Sequence, residues 1–205
     1  MYKKPIIVFE GIEGSGKTTH LSEISKFLRK NKIKFISIRE PGGNKNSEIF
    51  RKIILNKKSD LHIFTDLLLY FAARNENVNK IIKKNYKKKV ILIDRFSDST
   101  VAYQHYGMGI DLKIINIINK YLTQGIKIDY TFLNTVSIKN LKKRLKKRKN
   151  LNKYDNFKGT FYNKVQRGFL KIAKQNNRYL ILDSDEDINM NKKIILNRFK
   201  KIIFN

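Results

Sequence analysis

The sequence has no cysteine, few prolines and few acidic residues, and each shortage removes a class of protein. None of its 205 residues is cysteine, which excludes a disulfide framework and a zinc-thiolate site. It has 2 prolines and no linker or internal repeat, so we expect one domain over residues 1–205. No stretch approaches the roughly 18 uncharged apolar residues of a membrane span, and the apolar run before Gly11 is too short for a signal peptide. We therefore expect a cytoplasmic protein without a membrane partner.

Acidic residues are outnumbered by basic ones, at 17 Asp and Glu against 45 Lys and Arg, which gives a net charge of +28. Clustered cations bind nucleic-acid phosphates, so one hypothesis is a nucleic-acid-stimulated ATPase. The excess is largely Lys, however, and it is spread along the whole chain together with abundant Asn and Ile. These three residues have A/T-rich codons, so genomic bias accounts for the charge. We expect no specific nucleic-acid partner.

Short apolar runs alternate with segments of helical periodicity, and 41% of the residues are hydrophobic, which is enough for a sizeable core. Continuous β-branched and aromatic runs are typical of parallel strands that are buried on both faces. The order of the segments predicts an α/β fold with a five-stranded parallel sheet. Strands are predicted at 6–9, 33–38, 90–93, 130–133 and 179–182. Helices are predicted at 18–30, 60–86, 111–122, 138–149 and 161–175.

A glycine-rich phosphate-binding pattern, G-x-x-x-x-G-K-[ST], lies between the first predicted strand and the first predicted helix. It consists of Gly11, Ile12, Glu13, Gly14, Ser15, Gly16, Lys17 and Thr18, and Thr19 follows it. Backbone N–H groups and the start of the helix are suited to bind phosphate, Lys17 to reach the β- and γ-phosphates, and Thr18 to ligate Mg²⁺. The motif predicts binding of a nucleoside triphosphate without specifying the reaction.

Charged residues follow the second and third predicted strands, where ligands bind in such sheets. Arg39 begins the sequence Arg-Glu-Pro-Gly-Gly, and Asp94 and Arg95 end the third strand. Asp94 is either a metal ligand through water or a helix N-cap, and Arg95 can clamp a phosphate. Tyr70 and Arg74 are four residues apart on one helix face. They are suited to hold a base, although such a pair is equally compatible with a core residue beside a surface residue.

Together these motifs resemble the thymidylate kinase family in its bacterial form. Besides the phosphate loop, the matching stretches are 39–43, 71–74, 94–95, 98–100 and 102–104, in the family's order and spacing. The resemblance implies a three-layer P-loop NTPase-type fold with a short mobile lid. It also implies transfer of the ATP γ-phosphate to dTMP, giving dTDP and ADP, with Mg²⁺ as cofactor and a homodimer as the assembly. A kinase for another nucleoside monophosphate is the alternative within the same class.

The resemblance also assigns roles to individual residues. The expected dTMP-binding residues are Glu13, Arg39, Tyr70, Arg74, Arg95, Thr100, Tyr103 and Gln104. The expected catalytic residues are Lys17, Asp94, Arg95, Arg148 and Lys153, and Arg144 is expected near ATP. Thr18 and, through water, Asp94 are the expected metal ligands.

The lid is expected at about 148–160, and here the sequence departs from the family. Relatives carry Asp-Arg-x-Glu in the lid, and the arginine reaches the transferring phosphate, whereas this chain has Asn152, Lys153, Tyr154 and Asp155. Lys153 keeps the charge but lacks the planar fork of arginine. The resemblance therefore predicts Lys153, or Arg148 in its place, as the lid cation.

Overall fold

The computed structural model describes residues 2–148 and 151–204. Within these ranges, five parallel strands form one sheet in the order β2-β3-β1-β4-β5. The strands are β1 Ile6–Glu10, β2 Phe35–Arg39, β3 Val90–Asp94, β4 Tyr130–Thr135 and β5 Tyr179–Asp183. Val8 at the centre of the sheet pairs with Ile93 on one side and with Thr131 on the other. The predicted five-stranded parallel sheet is confirmed.

Helices pack on both faces of the sheet and connect its strands. They are α1 Lys17–Lys30, α2 Lys45–Ile54, α3 Ile63–Asn77, α4 Lys83–Asn85, α5 Ser97–Thr100, α6 Leu112–Leu122, α7 Ile138–Lys146, α8 Gly159–Lys174 and α9 Ile188–Phe204. π-Helical segments extend α3 over Val78–Ile82 and α5 over Val101–Gly107, and a 3₁₀ turn covers Lys153–Asn156. None of the described helices is both long and apolar enough to cross a bilayer.

Strand β1 shows why the apolar runs are continuous. Ile7 and Phe9 point to one face of the sheet and pack with residues of α1 and α9, including Phe199. Ile6 and Val8 point to the other face, into a cluster that includes Val78. Because both faces are covered, every residue of the strand is buried, and all of them except Glu10 are apolar. The result is the three-layer arrangement that the resemblance implied.

Several helices differ from the predictions. The helix predicted at 60–86 starts at Ile63 and passes through a π-helical segment. The helix predicted at 138–149 ends at Lys146, because after Leu145 no apolar residue follows one turn later to bury against the core. Lys149 itself lies outside the described residues. Helices α2, α5 and α9 were not predicted.

Candidate active site

The phosphate-binding loop connects β1 to α1 in the predicted position. Gly11, Gly14 and Gly16 have φ values of +137°, +63° and +88°, which are strained for residues with a side chain. Lys17 is the first residue of α1, and its Nζ donates hydrogen bonds to the carbonyl oxygens of Gly11, at 3.0 Å, and of Ile12, at 2.8 Å. Burial, followed by the nearby charge of Arg95, lowers the pKa of Lys17 to about 8. The ammonium is thus held inside the loop, where a phosphate is its natural partner.

A crevice of about 430 Å³ opens beside this loop, at the carboxyl ends of β2 and β3. It gathers most of the predicted site residues into one place. Those that line it are Glu13, Gly14, Lys17, Thr18, Arg39, Tyr70, Arg74, Asp94, Arg95, Thr100, Tyr103, Gln104, Arg144 and Arg148. Lys153 is not one of the lining residues. The crevice lies where ligands bind in open parallel sheets.

Arg74 is held in place by two bonds inside the protein. The side chain is buried, Nε donates to Glu40 Oε2 at 2.8 Å, and Nη1 donates to Asn119 Oδ1 at 2.7 Å. The guanidinium also lies 5.2 Å from the centre of the Phe96 ring. Burial raises the pKa of Glu40, and Arg74 opposes that effect. Glu40 therefore serves to orient Arg74, a role that the sequence pattern did not reveal.

Glu13, Arg95 and Tyr103 form a second polar group at the mouth of the phosphate loop. Arg95 donates from Nη1 to the Gly11 carbonyl at 2.8 Å and from Nη2 to Glu13 Oε1 at 2.9 Å. The Tyr103 hydroxyl donates to Glu13 Oε2, and its ring lies 5.1 Å from the guanidinium carbon of Arg95. Burial keeps the pKa of Tyr103 well above its ordinary value, so the hydroxyl remains a donor. This group links β1, β3 and the π-helical segment at one point.

Four buried polar atoms of residues that line the crevice have no hydrogen-bond partner among the described residues. They are Nε2 of Gln104, Oδ1 of Asp94, Oε1 of Glu40 and the hydroxyl oxygen of Tyr154. Gln104 and Thr100 are four residues apart on one helical segment and are almost fully buried. A buried polar group without a partner costs free energy unless a ligand or water satisfies it. These atoms therefore mark polar contacts for a bound molecule.

Arg39 is more than half exposed, and its Nη2 lies 3.4 Å from Glu48. The side chain of Arg51 also lines the crevice and donates to the Pro41 carbonyl at 2.6 Å. Arg51 was not among the predicted site residues. A prediction of a helix over 45–54 would have identified Arg51, because such a helix places Glu48 and Arg51 on one face beside the Pro-Gly-Gly turn.

Arg144, at the end of α7, bridges the phosphate loop and the segment after β5. It donates to the carbonyl oxygen of Gly14 at 2.7 Å and to that of Ser184. Arg148 lines the crevice and pairs with Asp155 at 2.7 Å. Arg144 therefore contacts the phosphate loop, whereas the ion pair of Arg148 is with Asp155.

Lys153 is placed differently from the prediction of a lid cation. Its ammonium pairs with Asp66 of α3, away from the lining of the crevice. Instead the next residue, Tyr154, enters the crevice and lies between Tyr70 and Tyr103, with ring centres 6.4 and 5.8 Å away. The sequence assigned no role to Tyr154. In a short irregular turn, spacing alone does not tell which way a side chain points.

Comparisons with known proteins show which proteins this chain is similar to. A family described as thymidylate kinase matches residues 9–195. A thymidylate kinase of Sulfurihydrogenibium sp. (strain YO3AOP1) is 37% identical over 198 residues, 95% of this chain and 96% of that protein. One of Mycoplasma capricolum subsp. capricolum is 36% identical over 204 residues, again 95% and 96% of the two chains. The crystal structure of thymidylate kinase from Ehrlichia chaffeensis matches with a TM-score of 0.77 and 33% identity, over 96% of this chain and 98% of that one.

Proposed function

The chain belongs to the thymidylate kinase family and is an ATP-dependent dTMP kinase, and we propose that its crevice holds dTMP and the phosphates of ATP side by side. The reaction transfers the γ-phosphate of ATP to dTMP and releases dTDP and ADP. The observation that carries the proposal is the convergence of Lys17, Arg74 and Arg95 on one crevice beside the phosphate loop. Two polyanions can approach each other only in such a cationic site.

The inner end of the crevice fits the thymine base. The ring of Tyr70 offers a stacking surface, and Arg74, Thr100 and Gln104 offer hydrogen bonds to the polar edge of the base. Because Glu40 and Asn119 fix the guanidinium of Arg74, the base meets a preorganised donor. The unpaired Nε2 of Gln104 gains a partner on binding. Tyr103, fixed by Glu13, limits the room beside the sugar and favours a deoxyribose.

The outer end of the crevice fits the reacting phosphates. Arg39, Arg95, Lys17 and Arg144 all line the crevice. We assign Arg39 and Arg95 to the phosphate of dTMP, and Lys17 and Arg144 to the phosphates of ATP. In phosphoryl transfer the protein contributes mainly positioning and charge neutralisation. Arg148 is the cation of the lid region that lines the crevice among the described residues, and we assign it the role of stabilising the phosphate in transit.

The residues beside Lys17 also fit a magnesium ion. Asp94 Oδ1 is buried without a partner among the described residues, and it lies in the same crevice as the side chain of Thr18. Oxygen donors of this kind suit Mg²⁺, which is held mostly by water and phosphate oxygens. When bound with ATP, the ion supplies further neutralisation of charge on the phosphates.

We also assign a homodimer, because three adjacent helices expose apolar side chains. α3 packs against both α2 and α6. The exposed residues are Ile49 and Ile53 of α2, Ile63, Phe64 and Leu68 of α3, and Ile114, Ile117 and Tyr121 of α6. Contiguous apolar surface on a soluble protein marks an interaction site. A second copy of the chain is the partner that family membership favours.

A coupled assay of ADP release tests the function. Purified protein is mixed with ATP, Mg²⁺ and, in turn, dTMP, dUMP, UMP, CMP, AMP or GMP. We expect the fastest turnover with dTMP, no stimulation of ATP hydrolysis by single-stranded DNA, and loss of turnover in Lys17→Met, which keeps the stem of the side chain without its charge. Faster turnover with any ribonucleotide would refute dTMP as the substrate, and DNA-stimulated hydrolysis would favour the ATPase.

A further inference from the structure

The segment after α7 forms a compact turn with its own hydrogen bonds, and we name residues 152–156 the lid turn. Asn152 Oδ1 accepts from the Tyr154 backbone N–H at 2.8 Å, and Asp155 Oδ2 accepts from the Asn152 backbone N–H at 2.7 Å. This reciprocal pair is a capping box. The lid turn is therefore a small rigid body, which moves as a unit if it moves at all.

An ion pair joins the lid turn to α3, in addition to the contact between the rings of Tyr154 and Tyr70. The ammonium of Lys153 pairs with Oδ2 of Asp66, whose side chain is 1% exposed, while that of Lys153 is 17% exposed. In addition, the backbone N–H of Lys153 donates to the carbonyl of Leu55, just after α2, at 3.3 Å. A buried carboxylate needs a cationic partner, since removing the partner leaves an uncompensated charge. Among the described residues, Lys153 is the only cation that pairs with Asp66.

The ion pair fixes a group that covers the crevice. Tyr154, directly after Lys153, is 2% exposed and stands between the rings of Tyr70 and Tyr103. Asp66 lies one helical turn before Tyr70 on α3. The partner of Lys153 and one of the rings that contact Tyr154 therefore belong to the same helix. If the lid turn leaves α3, Tyr154 must leave the base end of the crevice with it.

We propose that Lys153 is a positioning residue, which pairs with Asp66 to hold the lid turn closed over the dTMP end of the crevice, and that it does not act on the transferred phosphate. The proposal rests on the dTMP kinase function. It replaces the sequence expectation that Lys153 is the lid cation. Closing a lid excludes water and commits a bound substrate, so the pair acts on the binding of dTMP more than on the chemical step.

The second carboxylate oxygen of Asp66 indicates that an arginine could replace Lys153 in the ion pair. Oδ1 of Asp66 is buried and has no partner among the described residues, because a single ammonium reaches only Oδ2. The fork of an arginine can pair with both carboxylate oxygens. Lys153→Arg should therefore keep the lid turn closed.

Steady-state kinetics of the full-length protein test the proposal. The variants are Lys153→Met, Asp66→Asn, the double variant and Lys153→Arg. Lys80→Met is the matched control, because Lys80 forms an exposed ion pair with Glu76 on the same helical run. For each we measure kcat and the KM values for dTMP and for ATP.

We expect Lys153→Met to raise the KM for dTMP about 10- to 100-fold, as loss of a charge-assisted hydrogen bond implies, with a smaller effect on kcat. Adding Asp66→Asn removes the lone buried charge, so the double variant should be less impaired than Lys153→Met alone. Lys153→Arg and Lys80→Met should keep the wild-type KM for dTMP. A fall in kcat of tenfold or more in Lys153→Met, with the KM for dTMP unchanged and Asp66→Asn like wild type, would overturn the proposal.

Hydrogen exchange provides a second measurement that does not require turnover. In wild-type protein without substrates, amides of the lid turn should exchange more slowly than in Asp66→Asn, while those of the phosphate loop should exchange equally in both. Equal exchange of the lid-turn amides in the two proteins would contradict the proposal that the ion pair holds the lid turn closed. Absence of wild-type turnover with dTMP would count against the proposed function alone, since the exchange comparison would still decide the role of the ion pair.

Discussion

The chain has 45 Lys and Arg residues, and within the described ranges seven of these cations line the crevice, where their neighbours distinguish them from the rest. Arg74 is fixed by Glu40 and Asn119, and Arg95 by Glu13 and the Gly11 carbonyl. The sequence predicted the positions of Arg74 and Arg95, because both belong to motifs that follow or face the strand ends. It could not predict Glu40 as the partner of Arg74, since these residues are 34 positions apart and meet only in the folded chain.

Glu10 is a buried carboxyl group that makes stability depend on pH. Burial, with a contribution from the nearby charge of Asp98, raises its pKa from 4.5 to about 7, although hydrogen bonds from Ser99 and Phe96 oppose the shift. Between about pH 4.5 and pH 7 the folded protein retains a proton that the unfolded chain releases. The contribution of this group to stability is therefore complete below pH 4.5 and is lost as the pH rises to 7.

Glu10→Gln should remove this dependence, because glutamine has the same shape and stays neutral. We expect the free energy of unfolding of the variant, relative to wild type, to increase by roughly 3 kcal/mol between pH 4.5 and pH 7.5. Urea unfolding followed by circular dichroism measures it. Glu186→Gln, an exposed substitution, is the control. A constant difference between Glu10→Gln and wild type across this range would show that the carboxyl group does not titrate there.

At the scale of elements, the strands were predicted, whereas two helices that carry site residues, α2 and α5 with its π-helical extension, were not. The inner strands β1, β3 and β4 are buried along most of their length, so apolar residues dominate their sequences, whereas the edge strands β2 and β5 each include exposed positions. Helix α2 instead carries apolar residues on two sides: Ile54 is buried, whereas Ile49 and Ile53 are exposed. This distribution obscures the helical period of the sequence. Because α2 was not predicted, Arg51 was not recognised as a residue of the crevice. The lid turn was also unpredictable, since its conformation depends on capping bonds rather than on periodicity.

The junction of β1 with the phosphate loop depends on the missing side chain of Gly11. Its φ is +137°, and an added Cβ would lie 2.2 Å from the Asn134 carbonyl oxygen of β4. Gly11→Ala should destabilise the protein by about 3 kcal/mol or more, because backbone must move to relieve the clash. Gly125→Ala is the matched control: its φ of +79° is also left-handed, but no atom lies within 4 Å of the added Cβ.

Thermal unfolding of the two alanine variants tests this account. Gly125→Ala should lose only about 1–2 kcal/mol, the cost of the left-handed backbone. Equal losses for the two variants would mean that the contact with β4 is unimportant and that backbone conformation alone explains the effect.

At the scale of the whole molecule, the net charge of +28 is diffuse, whereas most of the exposed large apolar residues lie on α2, α3 and α6. Most Lys residues contact no part of the crevice, which is consistent with a compositional origin. The proposed dimer surface consists of the exposed apolar side chains of α2, α3 and α6. Repulsion between two such basic chains should make their association stronger as salt screens the charges.

Ile117→Glu tests the dimer surface. Ile117 is 69% exposed on α6, so the substitution should leave the fold intact while it places a charge in the contact. We expect light scattering after size exclusion to give a dimer for wild type and a monomer for the variant. Ile188→Glu, at a 50% exposed isoleucine of α9, should remain a dimer. A wild-type monomer at high salt, or an unchanged dimer in Ile117→Glu, would contradict the assigned surface.

The central claim is that this crevice selects dTMP, and a competition experiment tests it most directly. The protein is given ATP, Mg²⁺ and an equimolar mixture of dTMP, dUMP, UMP, CMP, AMP and GMP, and the nucleoside diphosphates formed from them are quantified by mass spectrometry at early times. Since all substrates compete for one site, the ratio of products gives the ratio of kcat/KM values. We predict that dTDP forms fastest. More rapid formation of the diphosphate of UMP, CMP or GMP, or of ADP beyond that released from ATP, would contradict the account.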